Sequence, residues 1–147
     1  MKTALKIRLL LLLFILIGDC CAAAAQNVVV VVNPEMRISS ISVDDLRAIF
    51  TGARSRVAGG FHVVPVTLKG GAAHEVFLKN YLGETPDEYR TAWRKAVFTG
   101  QGAMPMSFDS EAALLDFVAN TPGAIGYASR IPQENQVKLV VVLSKGH

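Results

Sequence analysis

Apolar and polar positions change period several times along this chain, and each change marks an element. Residues 27–33 hold five consecutive valines, the unbroken apolar run of a strand buried on both faces as in a parallel sheet, and Asn33-Pro34 ends it. Behind Ser42, a good N-cap, the residues Val43, Leu46, Ile49 and Phe50 recur at helical spacing until Gly52 stops the helix. A polar loop at 54–60 leads into a β-rich stretch, 62–68, which Pro65 demotes to an edge or bulged strand. Residues 73–82 read as a helix with Val76, Phe77 and Tyr81 inward. Thr85-Pro86-Asp87-Glu88 then starts another: Thr85 caps, Pro86 takes the first helical position and Glu88 closes a capping box, with Tyr89, Trp93 and Ala96 along one face.

The segment 99–107, with Gly100, Gly102 and Pro105, reads as irregular. Asp109 or Ser110 caps a last helix with Leu114, Phe117 and Val118 inward, ended by Pro122. Gly123 suits the reversal that follows, and 124–128 and 137–143 are the closing strands. Gly123 and Gly126 flank little side-chain bulk, which suits a backbone packed closely against another element or a ligand. Four strands separated by helices predict an α/β fold, a mixed and largely parallel sheet flanked by helices, with the first and last valine-rich strands central.

The first 25 residues do not belong to that fold. Lys2, Lys6 and Arg8 precede an apolar run from Leu9 to Ile17, and the small residues Ala22 to Ala25 follow, the three parts of a cleaved secretory signal peptide. The run is far shorter than the roughly 20 apolar residues of a membrane span, so no membrane insertion is expected after cleavage. Lipid attachment is disfavoured because Asp19 and Cys20, rather than a small residue, precede the two cysteines. The expected division is a signal peptide at 1–25 and one exported, periplasmic domain at 26–147.

Removing the leader takes both cysteines, so disulfides and thiolate metal sites leave with it. Of 15 basic and 12 acidic residues, Lys2, Lys6, Arg8 and Asp19 go too, and the remaining 122 residues are close to neutral. Nothing in that balance suits nucleic acid. His62, His74 and His147 have no metal-ligand spacing, and phosphate-loop, dinucleotide and nucleophile-elbow motifs are missing from the sequence, so neither an enzyme nor a cofactor or metal is expected.

One segment hints at binding. Thr67, Lys69, Gly70, Gly71, Ala72, Ala73 and His74 take the chain from a strand through a glycine pair into a helix whose first N–H groups attract anions, with Lys69 adding charge. A plain βα turn that only needs glycine explains the same residues.

Three stretches in order, Ser-x-Asp-Asp-Leu-x-x-Ile-Phe-x-Gly at 42–52, Val-x-Pro-Val at 63–66 before a glycine loop and helix, and Phe-Val-x-x-x-Pro-Gly-Ala-Ile-Gly-Tyr at 117–127, resemble the phosphate-binding proteins of ABC transporters, of the type 2 periplasmic binding protein superfamily. The resemblance implies a solute-binding fold without catalysis, here at the scale of one lobe or a reduced version. It implies a small anion such as phosphate as ligand, and a membrane transporter or an envelope sensor as protein partner. The alternative it leaves is a ligand-free accessory module for an envelope receptor or sensor kinase. The chain departs from the family at the expected grip: Thr67 stands for its Arg, and Gly71-Ala72-Ala73 for its Ser-Gly-Thr. Whether Arg37, Arg54 or Arg56 folds over the glycine turn in place of that Arg stays open.

Overall fold

The structure, a computed structural model, describes residues 27–133 and 136–144. The expected signal peptide lies outside them. In chain order the elements are β1 (Val29–Val32), β2 (Ser40–Ser42), α1 (Val43–Phe50), β3 (Val64–Leu68), α2 (Ala72–Phe77, prolonged by a π-helical turn, Leu78–Leu82), α3 (Pro86–Phe98), β4 (Met106–Phe108), α4 (Glu111–Asn120), β5 (Ala124–Ala128) and β6 (Lys138–Leu143). They form a six-stranded sheet in the order β2-β6-β1-β5-β3-β4.

Five strands run parallel and β1 runs against them, paired antiparallel with both β5 and β6. The valine run thus reflects burial rather than strand direction, since Val30, Val31 and Val32 are almost wholly covered. β1 is central as expected, and β6 lies inside the sheet but one strand from its edge, between β1 and β2, with Leu139, Val141 and Leu143 exposed along one face. β3 is not an edge either, because β4 pairs with it inside the segment read as irregular. Pro65 is tolerated for a local reason. Val64 N–H donates to Gly123 O on the β5 side (2.8 Å), so the missing N–H of Pro65 faces the other side, where β4 begins only opposite Val66.

The helix starts follow their caps. Ser42 Oγ accepts from Asp45 N–H, Thr85 and Glu88 form the reciprocal capping box, and Ser110, rather than Asp109, caps α4 through Ala113 N–H. Two layers cover the sheet. On one face α4 sets Leu114 and Val118 against Gly126, whose absent side chain would sit 2.8 Å from Leu114 and 3.1 Å from Val66. The close approach at this glycine is therefore to a helix and a neighbouring strand. Asn33, buried after β1, donates through Nδ2 to the Val118 and Ala119 carbonyls at the end of α4 (3.0 and 3.1 Å).

On the other face α1, α2 and α3 pack through aromatic rings. Tyr127 stacks on Phe77 with centroids 4.0 Å apart and planes at 9°, and Phe50 meets Phe77 edge-on at 4.8 Å. The Phe50 carbonyl, at the end of α1, accepts from Tyr89 Oη (2.8 Å) and Trp93 Nε1 (3.2 Å) of α3. Gly52 leaves room for the Trp93 ring, which an added Cβ would meet at 2.7 Å.

Gly123 has φ +82°, and a Cβ there would lie 2.5 Å from the His62 carbonyl; Gly60 has φ +79° with open space around it. Gly60→Ala should cost roughly 1 kcal/mol, the strain of a left-handed residue, and Gly123→Ala roughly 3 kcal/mol, since strain and backbone overlap add. Urea unfolding of both variants measures the difference, and equal losses would remove the His62 contact from the explanation.

Candidate functional site

The strands β3 and β4 are parallel and end together, and open α/β sheets receive ligands at such carboxyl ends. A cavity of about 220 Å³ lies there. Its polar lining is Thr67, Lys69, His74, Arg90 and Ser107, with Tyr89 among its apolar walls. Strand alternation turns Val66 towards α4 and Thr67 to the opposite face; the β3–β5 register, continued, sets Thr67 beside Tyr127. Lys69 follows directly, its N–H held by the Phe108 carbonyl (2.9 Å). α2 brings in His74, α3 brings in Arg90 and β4 brings in Ser107.

Burial divides these groups into two kinds. Thr67 and His74 are only 4% and 5% exposed. His74 Nδ1 lies 2.6 Å from Tyr127 Oη, and Tyr127 Oη accepts from Leu68 N–H at 2.9 Å. Among the described residues the buried side-chain atom without a hydrogen-bond partner is Glu84 Oε2, outside this cavity. Lys69 and Arg90 are exposed and each holds a carboxylate, Asp109 and Asp87 respectively, at 2.9 Å.

The imidazole of His74 sits below its ordinary pKa, chiefly because burial disfavours its charged form; Glu75 opposes this and Arg90 reinforces it. Burial likewise pushes the Tyr89 and Tyr127 hydroxyls well above the ordinary tyrosine value. At neutral pH the interior wall therefore offers neutral groups, and the positive charge stands at the rim. Such an arrangement can bind a small oxyanion.

Of the residues singled out from the sequence, Thr67, Lys69 and His74 line this cavity. Gly70 and Gly71 form an exposed turn, Ala72 opens α2 and Ala73 is buried in the core; these four lie outside the cavity lining. The arginine question has a different answer from the three candidates. Arg54 pairs with Asp45, Arg56 donates to the Gly60 carbonyl and Arg37 is exposed outside the cavity, while Arg90 faces it. In sequence Arg90 is only the polar neighbour of an inward Tyr89, and Ser107 falls in the segment read as irregular.

A larger cavity of about 410 Å³ is lined by Glu75, Lys79, Glu84 and Glu88 among others. Three carboxyl groups against one lysine make this second cavity unsuited to an anion, and burial, then Glu88, pushes the Glu84 carboxyl above its ordinary pKa. Among the described residues no group of three His, Cys, Asp or Glu side chains converges as a metal site, and no helix is long and apolar enough to cross a membrane.

No family model and no curated protein matches the chain. Solved structures do. The chain superimposes on a protein from Clostridium perfringens described as a phosphate ABC transporter substrate-binding protein, with bound phosphate, at TM-score 0.61 and 17% identity over 78% of this chain and 44% of that one. PstS from Borrelia burgdorferi matches at TM-score 0.58 and 15% identity, over 78% and 46% of the two chains. A phosphate-binding protein of Planctomyces limnophilus matches at 0.52 and 13%, over 80% and 41%. The chain thus spans under half the length of these structures, and at such identities the likeness is one of fold. Its sheet and helices follow the fold that these structures share over that part of their length.

Because the folded imidazole of His74 holds its proton less tightly than the unfolded one, the unfolded chain binds more protons near and below pH 6.5. The stability this neutral His74 supports is fully present above its unfolded pKa and is lost as pH falls through 6.5 towards the depressed folded value. Urea midpoints between about pH 8 and 5 should fall more in the parent than in His74→Gln, and parallel profiles would contradict a buried neutral His74.

Proposed function

We propose that this chain is an exported, non-catalytic solute-binding protein that takes phosphate or a related small oxyanion in the cavity at the ends of β3 and β4, and hands it to a membrane transporter or reports it to an envelope sensor. The signal-peptide pattern at 1–25 supports export. The convergence of Thr67, Lys69, His74, Arg90 and Ser107 on one cavity carries the ligand reading. Cations and hydrogen-bond donors from four elements meet there, and the neighbours sharing the fold include one solved with phosphate. Arg90 supplies the guanidinium that the chain lacks at Thr67, and a guanidinium fork suits two oxygens of one oxyanion.

Isothermal titration calorimetry of the leaderless chain with phosphate and sulfate tests this. Saturable binding is expected, weakened in Arg90→Ala and Lys69→Ala by about 1 to 2 kcal/mol each, roughly five- to thirtyfold in Kd. Arg54→Ala, in an exposed pair away from the cavity, should bind as the parent does. No saturable heat with either anion, or equal losses in all three variants, would overturn the assignment.

A further inference from the structure

Tyr127 lies outside the cavity lining, yet its hydroxyl decides what His74 can offer there. Tyr127 Oη is 2.9 Å from Leu68 N and 2.6 Å from His74 Nδ1. The Leu68 N–H can only donate, so it occupies an acceptor position of the phenolic oxygen. The hydroxyl proton then has His74 Nδ1 as its acceptor, which requires a neutral imidazole with its own proton on Nε2. In the other tautomer two N–H groups would donate to the same oxygen. The Tyr127 proton, buried with its ring, would then find no acceptor among the described residues. A buried donor left unmatched disfavours that tautomer by roughly tenfold or more.

The rings are held where this matters. Tyr127 stacks on Phe77, and His74 lies nearly parallel to Tyr127 (22°) and edge-on to Tyr89 (73°), each at 6.2 Å. The titratable and charged groups around the imidazole are Tyr127 on β5, Tyr89 and Arg90 on α3, Lys69 after β3 and Glu75 on its own helix. Burial and Arg90 both favour the neutral ring.

We propose that Tyr127 is a positioning residue that fixes His74 as the neutral Nε2–H tautomer, so that the imidazole presents a hydrogen-bond donor to an oxyanion in the cavity. The ligand half of this proposal rests on the anion reading above. The site then reads its ligand through acceptor oxygens. His74, Lys69 and Arg90 all donate, and Asp109 and Asp87 are engaged by the two cations. Cations find no carboxylate in the lining, and the imidazole itself offers a ligand no acceptor.

Nitrogen-15 NMR of the imidazoles in the anion-free leaderless chain near pH 7.5 tests the tautomer without any ligand, with His74 assigned by its disappearance in His74→Gln. A protonated Nε2 and an unprotonated Nδ1 are expected. In Tyr127→Phe the His74 signals should move towards a mixture of tautomers, and the Kd for inorganic phosphate or sulfate should rise about tenfold. An Nδ1–H tautomer in the parent, or an unchanged tautomer in a folded Tyr127→Phe, overturns the proposal. If that variant does not fold, the parent spectrum alone still decides the tautomer. A parent with the expected tautomer that binds neither anion overturns the anion reading and leaves the Tyr127–His74 assignment standing.

Discussion

The hydroxyl of Tyr127 satisfies a need the sheet itself creates. The β3–β5 ladder ends at Pro65 and Ile125, and Leu68, further along β3 and almost wholly buried, gives its N–H to the Tyr127 hydroxyl. An unpaired amide there costs about 1 to 3 kcal/mol. The Tyr127 ring reaches from β5 and delivers its oxygen to that amide. Its flat face then becomes the floor on which Phe77 and Phe50 pack, and through them α2 and α1 take their places. Placing α2 places His74, so one side chain joins the sheet, the aromatic layer and the cavity.

A second tie completes the wall. Tyr89 and Trp93 both donate to the carbonyl of Phe50, which fixes α3 against the end of α1 and saturates a carbonyl that the helix leaves open. The tie is also what brings Arg90 to the cavity, because the residue after a buried inward tyrosine turns about 100° around the helix towards the β3 end. Gly52 and Gly102 keep the Trp93 ring uncrowded. The resemblance in residues 42–52 therefore has a packing meaning: its Ile-Phe-x-Gly receives the helix that supplies the arginine.

How much of this could be read from the chain follows the range of the forces. Ser42, Thr85 with Glu88, and Ser110 act within a few residues, so the three helix starts were legible. β2 and β4 were not, because Ser-Ile-Ser and Met-Ser-Phe are strands only by virtue of β6 and β3 beside them. The reversed direction of β1 was hidden for a related reason: a valine run records burial on both faces, and burial is blind to orientation. At the site, Thr67, Lys69 and His74 are close in sequence and were singled out together. Arg90 and Ser107 join them only through the Phe50 tie and the β3–β4 pairing, and Arg90 with Asp87 one turn earlier looks like any solvated helix pair.

The charge arrangement suits exchange of a ligand better than a permanent hold. The Lys69–Asp109 and Arg90–Asp87 pairs have side chains between 56% and 92% exposed, and ion pairs of that kind contribute about 0 to 1 kcal/mol. Each cation is thus kept near the cavity by a partner it can leave at small cost. The buried wall works differently. A charged His74 inside it would lose its hydration, so the ring stays neutral and contributes direction rather than charge. An anion bound between the two, as proposed, would keep part of its hydration on the rim side, where water competes with Lys69 and Arg90, and would meet Thr67 and His74 in a drier setting where each hydrogen bond counts for more. On the proposed function, selectivity would reside in the buried pair, and the exposed cations would set how strongly any anion is drawn in.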